Sequence, residues 1–299
     1  MKMQRIFTAL LLAIILVLNN VSSAMALPPL PSSFFGTVKL DGANVPIGTL
    51  VSARINGVQY ASVAAFLDGT DTVYFFDVPG DDPATAGTLE GGVQNDVIQF
   101  YIGGVLASQT GTWLTGTNAQ VNLTATTPRT VTFNPNGGSG SMSPQIANVP
   151  TALTLNTFTR TGYSFAGWNT ATNGSGTAYA NGATYDFSTD VTLYAQWSAN
   201  SYTVTFNANG GSAPSPANKQ VTFGSTYGTL ATTSRTGYTF VGWFTAASGG
   251  TQVTTSTVVS NASDHTLYAQ WSANTYTVTF NAKGGSAPSP ANKQVTFGS

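Results

Sequence analysis

Three phrases recur in this chain in the same order and at a nearly constant spacing. They are Thr130-Val-Thr-Phe-Asn-Pro-Asn-Gly-Gly138, Arg160-Thr-Gly-Tyr-Ser-Phe-Ala-Gly-Trp168 and Leu193-Tyr-Ala-Gln-Trp197. They return as Tyr202-Thr-Val-Thr-Phe-Asn-Ala-Asn-Gly-Gly211, Arg235-Thr-Gly-Tyr-Thr-Phe-Val-Gly-Trp243 and Leu267-Tyr-Ala-Gln-Trp271. A third start at Tyr276 runs to Ser299. Phe133 to Phe206, Arg160 to Arg235 and Trp197 to Trp271 are 73, 75 and 74 positions apart. Such a period is too long for a helical solenoid or a propeller blade, so the chain is a tandem array of small, separately folding units.

The 299 residues leave room for two to four such domains. Only 7% are charged, and Gly, Thr, Ser, Asn and Ala dominate beside many β-branched and aromatic residues, a mixture typical of exported β structure rich in turns. Charge is unevenly placed. Residues 28–127 carry eight acids against Lys39 and Arg54, a net of −6. Residues 128–299 carry six bases against Asp186, Asp190 and Asp264, a net of +3. Six scattered bases make no nucleic-acid footprint.

Export is written at the N-terminus. Lys2 and Arg5 precede the apolar run Ile6–Leu18, and Ala24-Met25-Ala26 offers small residues for cleavage, so residues 1–26 are expected to be a signal peptide. The run has 13 residues, short of the roughly 20 that span a bilayer; an uncleaved anchor is the other possibility. There is no cysteine, which removes thiolate metal sites and thiol nucleophiles. Small exported domains often lean on disulfides because their cores are small, so these must rely on aromatic packing and on their neighbours.

Residues 27–127 are expected to form a β-sandwich. Short strands are predicted at 35–40, 50–55, 58–63, 72–78, 97–102, 105–108 and 120–124, with Asn56-Gly57 and Gly103-Gly104 as hairpin turns. About seven such strands suit a sandwich. The opening Gly36-Thr-Val-Lys-Leu-Asp-Gly-Ala-Asn-Val-Pro-Ile-Gly-Thr49 resembles the prealbumin-like or Cna-B-like modules of bacterial surface proteins.

In the array, Thr-Val-Thr-Phe alternates so that Val131 and Phe133, or Val204 and Phe206, face one side. Asn-Gly-Gly then reverses the chain. The last strand puts Leu, Ala and Trp on one face, with Tyr and Gln on the other. The expected repeat core is aromatic: Phe133, Tyr163, Phe165, Trp168 and Trp197 in the first copy, and Phe206, Tyr238, Phe240, Trp243 and Trp271 in the second. Taken in order, the phrases resemble the Listeria–Bacteroides repeat, also called the internalin B-repeat, over residues 129–299. That resemblance implies tandem β-grasp-like domains on secreted or cell-envelope proteins, with spacer or adhesive roles and no catalytic activity. The fold class is therefore all-β to α+β, a sandwich followed by β-grasp-like repeats at 128–199 and 200–273 and part of a third at 274–299. The first copy departs from the second at Pro135 and in the segment 169–176.

Little in the chain suggests catalysis. The one histidine, His265, stands beside Asp264, which invites a base oriented by a carboxylate; an exposed residue at a strand entry is the plainer expectation. No nucleophile elbow, zincin motif or phosphate loop is present. Asp77, Asp81 and Asp82, with Glu90 and Asp96 nearby, could supply oxygen ligands to Ca²⁺ or paired glycosidase carboxylates, but two prolines and a glycine make turn chemistry sufficient. Trp113 and Tyr101 could stack on sugars or simply pack in the core. Sequons at Asn122, Asn173 and Asn261 matter only in a glycosylating host.

No cofactor is expected. The chain reads as a non-enzymatic, extracellular cell-envelope protein whose repeats act as a spacer or adhesive stalk, with a cell-surface protein or a glycan as partner. A carbohydrate-binding module is the second possibility, and the appendage of an enzyme lying beyond Ser299 a third. Tyr276–Ser299 repeats Tyr202–Ser225 at every position but Lys283, which replaces Asn209, and stops before the strands that would complete it. A lone hairpin is marginal in water, so the sequence is expected to belong to a longer repeat protein, the alternative being a genuine terminus whose half-repeat pairs with another molecule. Genomic sequence past the codon for Ser299 should continue into a Gly-Tyr-x-Phe-x-Gly-Trp phrase; an immediate stop codon contradicts this.

Overall fold

A computed structural model describes residues 27–85 and 87–299. The signal-peptide expectation for residues 1–26 lies outside them. The chain divides into two compact units, the first ending at Pro128 and the second starting at Arg129. All regular elements among the described residues are strands, so the α+β end of the fold expectation falls away. The crossover segments, where a β-grasp helix would lie, are rich in Thr, Ser and Gly. Residues of this kind favour turns over helix.

The first unit is a β-sandwich. Its strands are β1 (Ser32–Leu40), β2 (Ala43–Asn44), β3 (Leu50–Ile55), β4 (Val58–Ala64), β5 (Phe66–Asp68), β6 (Asp71–Val78), β7 (Val97–Ile102), β8 (Val105–Thr112), β9 (Asn118–Gln120) and β10 (Leu123–Ala125). One sheet runs β10-β1-β6-β5, with β2 and β9 also on β1, and the other runs β4-β3-β7-β8. β1 shows a clean alternation of buried and half-buried positions, the period of a strand with one face in the core. Phe34 from one sheet meets Phe100 from the other edge-on at 5.3 Å. Both turn residues of the β3–β4 hairpin have positive φ, 51° at Asn56 and 83° at Gly57, as its two-residue loop requires. The strand expected at 120–124 is broken into β9 and β10. Both pair in parallel with β1, and the gap falls where Val121 N donates to Phe35 O.

The second unit holds the repeats. The first copy comprises β11 (Arg129–Asn134), β12 (Gln145–Ala147), β13 (Thr151–Ala152), β14 (Tyr163–Asn169), β15 (Ala178–Tyr179), β16 (Thr184–Tyr185) and β17 (Val191–Ala199). The second comprises β18 (Ser201–Asn207), β19 (Asn218–Thr222), β20 (Tyr238–Phe244), β21 (Gln252–Val253) and β22 (His265–Ala273). Their sheets have one order, β12-β11-β17-β14-β15 and β19-β18-β22-β20-β21. The closing strand is central in both, parallel to the first strand and antiparallel to the Gly-Tyr-x-Phe-x-Gly-Trp strand.

A register shift interrupts the latter pairing between Phe165 and Gly167, and again between Phe240 and Gly242. Strict alternation would put Phe165 and Trp168 on opposite faces. The bulge returns both to one side, where their rings meet edge-on at 5.0 Å, and Phe240 and Trp243 do so at 5.7 Å.

β23 (Thr275–Thr279) and β24 (Asn292–Thr296) form a hairpin that pairs with no other strand among the described residues. Val278 and Phe280 are 41% and 45% exposed, whereas their counterparts Val204 and Phe206 are 0% and 4%. The difference measures what the central and bulged strands cover.

Trp168 and Trp243 are the largest side chains in the two repeat cores, at 1% and 2% exposure. Trp243 Nε1 donates to Ala231 O at 2.8 Å, while Trp168 Nε1 has no partner and Phe158 packs edge-on to its ring at 6.0 Å. Trp243→Ala should cost about 3–5 kcal/mol in denaturant titration. Trp243→Phe should cost about 1–3 kcal/mol more than Trp168→Phe, because only the former orphans a carbonyl.

Candidate functional site

The residues singled out for chemistry do not assemble into a catalytic centre. His265 opens β22 and is half-buried, which corrects the expectation of an exposed residue. Its Nδ1 lies 2.9 Å from Ser263 O, which can only accept, so Nδ1 carries the proton. Nε2 pairs with Tyr227 Oη at 2.6 Å. Asp264 does not orient the ring, because its Oδ1 accepts from Thr203 N at 2.7 Å. Asp190 serves Thr130 N at 2.6 Å in the first repeat. These aspartates cap the first strand of their repeats.

The acidic loop is organised by its own backbone. Asp81 Oδ1 accepts from Glu90 N at 3.1 Å, Asp82 Oδ1 from Ala84 N at 2.9 Å and Asp96 Oδ2 from Val93 N at 2.8 Å. Asp77 instead accepts from Ser33 Oγ on the neighbouring strand at 2.5 Å. These are an Asx turn at Asp82, two further side-chain-to-backbone bonds within the loop and a cross-strand pair, and no cluster of three metal-ligating side chains occurs among the described residues.

Neither sugar-stacking candidate offers an open ring. Trp113 is 1% exposed and donates to Val78 O at 3.0 Å. Arg54 lies over Tyr101, 4.4 Å from its centroid. The aromatics that stand open on this domain are Phe66 and Phe75, at 45% and 49% exposure, beside a groove of about 520 Å³ rimmed by Asp68 and Asp71. Phe75 falls in the strand expected at 72–78, while Phe66 opens β5, a strand not expected from the sequence.

The most constructed feature of the repeats lies where one meets the next, and the three phrases converge there. Asn136 Nδ2 in the first turn donates to Ala195 O at 2.9 Å and Thr172 O at 2.8 Å, and Asn209 Nδ2 repeats this with Ala269 O and Ala247 O. Trp197 Nε1 donates to Pro135 O at 2.9 Å, as Trp271 Nε1 does to Ala208 O. The Trp197 ring passes so near Gly138 that a Cβ there would sit 2.6 Å from it. Phe165 meets Trp197 edge-on at 5.7 Å, and Phe240 meets Trp271 at 5.3 Å. Pro135 therefore leaves the turn intact, since its contribution is a carbonyl. The insertion at 169–176 is built around Asn169, 3% exposed. This residue bonds Ala171 N, Gly176 N, Gly174 O and Gly176 O, so the first repeat holds a longer loop at this edge.

The first joint runs through Asn200, the single residue between β17 and β18. Asn200 N donates to Gly162 O of the first repeat at 2.9 Å, and Asn200 O accepts from Phe223 N of the second at 2.9 Å. Its Oδ1 accepts from Ser164 Oγ at 2.6 Å. Phe223 then packs edge-on to Tyr163 at 5.6 Å. The second joint repeats each contact. Asn274 joins Gly237 O to Phe297 N, accepts from Thr239 Oγ1 at 2.7 Å, and places Phe297 edge-on to Tyr238 at 5.6 Å. Tyr163 and Tyr238, expected in the repeat core, thus serve the joint.

Residues 130–196 and 202–270 match the Listeria–Bacteroides repeat domain family. A glycine-rich membrane protein of Evansella cellulosilytica is 40% identical over 146 residues, covering 46% of this chain and 16% of that protein. Internalin H of Listeria monocytogenes is 38% identical over 122 residues, covering 39% of this chain and 20% of its own. The chain thus spans a fifth or less of the length of these relatives. The shaft pilin SpaA of Lactobacillus rhamnosus GG aligns over 80% of this chain and 98% of its own at 12% identity, with a TM-score of 0.19 that carries no argument.

Gly162 and Gly237 have φ of 79° and 80°, and a Cβ on either would run into the Phe223 or Phe297 ring. Gly162→Ala should cost about 1–2 kcal/mol for the backbone alone. It should also displace Phe223, which the loss of aromatic ring-current shifts at Tyr163 would report.

Proposed function

We propose that this chain, with its two tandem Listeria–Bacteroides repeats, is a non-enzymatic protein of the bacterial cell envelope whose array is a stiff spacer. The observation that carries this reading is the recurrence of the joint. The residue between successive sheets is shared by both ladders, and an aromatic ring of the following repeat seals each joint. Repeats strung on flexible linkers would need neither feature. One residue of slack and a shared ladder keep each repeat in register with its neighbour, as in other quasi-one-dimensional assemblies.

Exposure outside the cell fits the low charge content. Among the described residues no helix is long and apolar enough to cross a membrane. The sandwich domain would then be the module the array displays.

Because the chain has no cysteine, two can be introduced for spin labels without interference. Ala166 and Val241 are exposed and occupy equivalent places in β14 and β20. Labels there should give one narrow distance distribution by double electron–electron resonance, and Phe223→Ala should broaden it. A broad distribution in the unaltered chain would sink the stiff-spacer reading. Antibody labelling of intact cells of the producing organism tests the location.

A further inference from the structure

The side chains of Arg160 and Arg235 form no ion pair among the described residues. The guanidinium carbon of Arg160 lies 4.1 Å from the centroid of the Tyr163 ring, and that of Arg235 lies 3.8 Å from that of Tyr238. The turn of the first phrase passes close by, so that a Cβ on Gly137 or Gly210 would sit 3.5 or 3.3 Å from the same carbon. Both arginines are half-buried. The backbone carbonyls of both accept from the tyrosine amides, at 3.0 and 3.1 Å, but stacking on tyrosine is the sole contact of either guanidinium with a polar partner among the described residues, which leaves its N–H edges unspent.

Each arginine stands in a groove at a joint. The first, about 460 Å³, is lined by Ser139, Thr159, Arg160, Thr161, Tyr163 and Phe223. The second, about 450 Å³, is lined by Ser212, Ser234, Arg235, Thr236, Tyr238 and Phe297. The composition is the same: one guanidinium, a rim of hydroxyls and an aromatic ring supplied by the following repeat. No single repeat contains the whole groove.

We infer that each joint is a binding groove for the acidic sugar unit of an anionic polysaccharide. A stacked guanidinium presents paired N–H donors in the geometry of a carboxylate, and such charge-assisted, two-point bonds are the strong ones. The phenylalanine ring in the lining adds an apolar wall against which the C–H groups of a pyranose can pack. Hydroxyls around the rim match those of the sugar. An acidic peptide would satisfy the arginine and leave the ring and the hydroxyl rim without a purpose. One groove is shallow and holds one charge, so the polymer gains its affinity by engaging successive joints. The inference goes beyond the spacer reading and shares only the joint with it: a loose joint shows in the spin-label distances, an empty groove in the titration.

The test is calorimetric titration of the full chain with polygalacturonate, with neutral galactan and polyglutamate as comparators. Polygalacturonate should bind, more weakly as salt rises, and trigalacturonate should bind more weakly than the polymer. The pair Arg160→Gln and Arg235→Gln should lose about tenfold or more in affinity at an unchanged melting temperature. Arg160→Lys with Arg235→Lys keeps the charge without the two-point geometry and should recover only part of the loss. No binding of polygalacturonate overturns the inference. Equal binding of polyglutamate, or of the glutamine pair, does so as well. If the glutamine pair melts early, full affinity in the lysine pair decides against the two-point grip.

Discussion

The sheet of each repeat depends on a central strand that comes last in the sequence. β17 and β22 are hydrogen-bonded on one edge to the first strand and on the other to the bulged strand, so without them two hairpin-like fragments remain. Leu193 and Ala195, like Leu267 and Ala269, are fully buried beneath that sheet. The hairpin β23–β24 shows the same residues without this strand: the valine and phenylalanine that a complete repeat hides are 41% and 45% exposed. A parallel pairing between the first and last strands also makes the key contacts long-range. That raises the entropy of closure and makes the repeat cooperative as a unit.

The tryptophan near the end of the central strand, Trp197 or Trp271, ties the core to the joint. Its indole bonds the carbonyl of the first turn, and the same turn approaches the arginine stacked on the joint tyrosine. Each phrase therefore supplies something to the fold of its own repeat and something to the contact with the next. This accounts for the repetition of Arg-Thr-Gly-Tyr, a segment that contributes little to the buried core. Its glycine leaves room for the neighbour's ring, its tyrosine receives that ring, and its arginine covers the tyrosine.

Much of this was legible in the residues. The alternation of Val131 and Phe133, the turns at Asn56-Gly57 and Gly103-Gly104, and the sandwich strands all follow from local rules that one segment obeys alone. The family resemblance rested on phrases whose order and spacing are specific. The candidate chemistry was less legible, because a sequence neighbour is not a spatial one: Asp264 adjoins His265 in the chain, yet its carboxylate serves Thr203, 61 positions away. Trp113 offered no signal to separate a sugar platform from a core indole. A loop closes over it through two glycines, Gly80 and Gly92, whose backbones lie against the indole.

By itself the sequence determined the period, the low-charge composition, most strand-forming segments and the buried aromatic pairs Phe133 with Trp168 and Phe206 with Trp243, whereas Phe240, expected in the same core, is 39% exposed. These are properties of short stretches, set by side-chain pattern and turn chemistry. The tertiary structure alone decided the strand order, the bulge that turns Phe165 and Trp168 to one face, and the absence of a crossover helix. It alone placed Tyr163 and Phe223, 60 positions apart, in one aromatic pair. Such features depend on which segments lie side by side after the chain has closed, and that is settled by the packing of the whole sheet and by the neighbouring repeat.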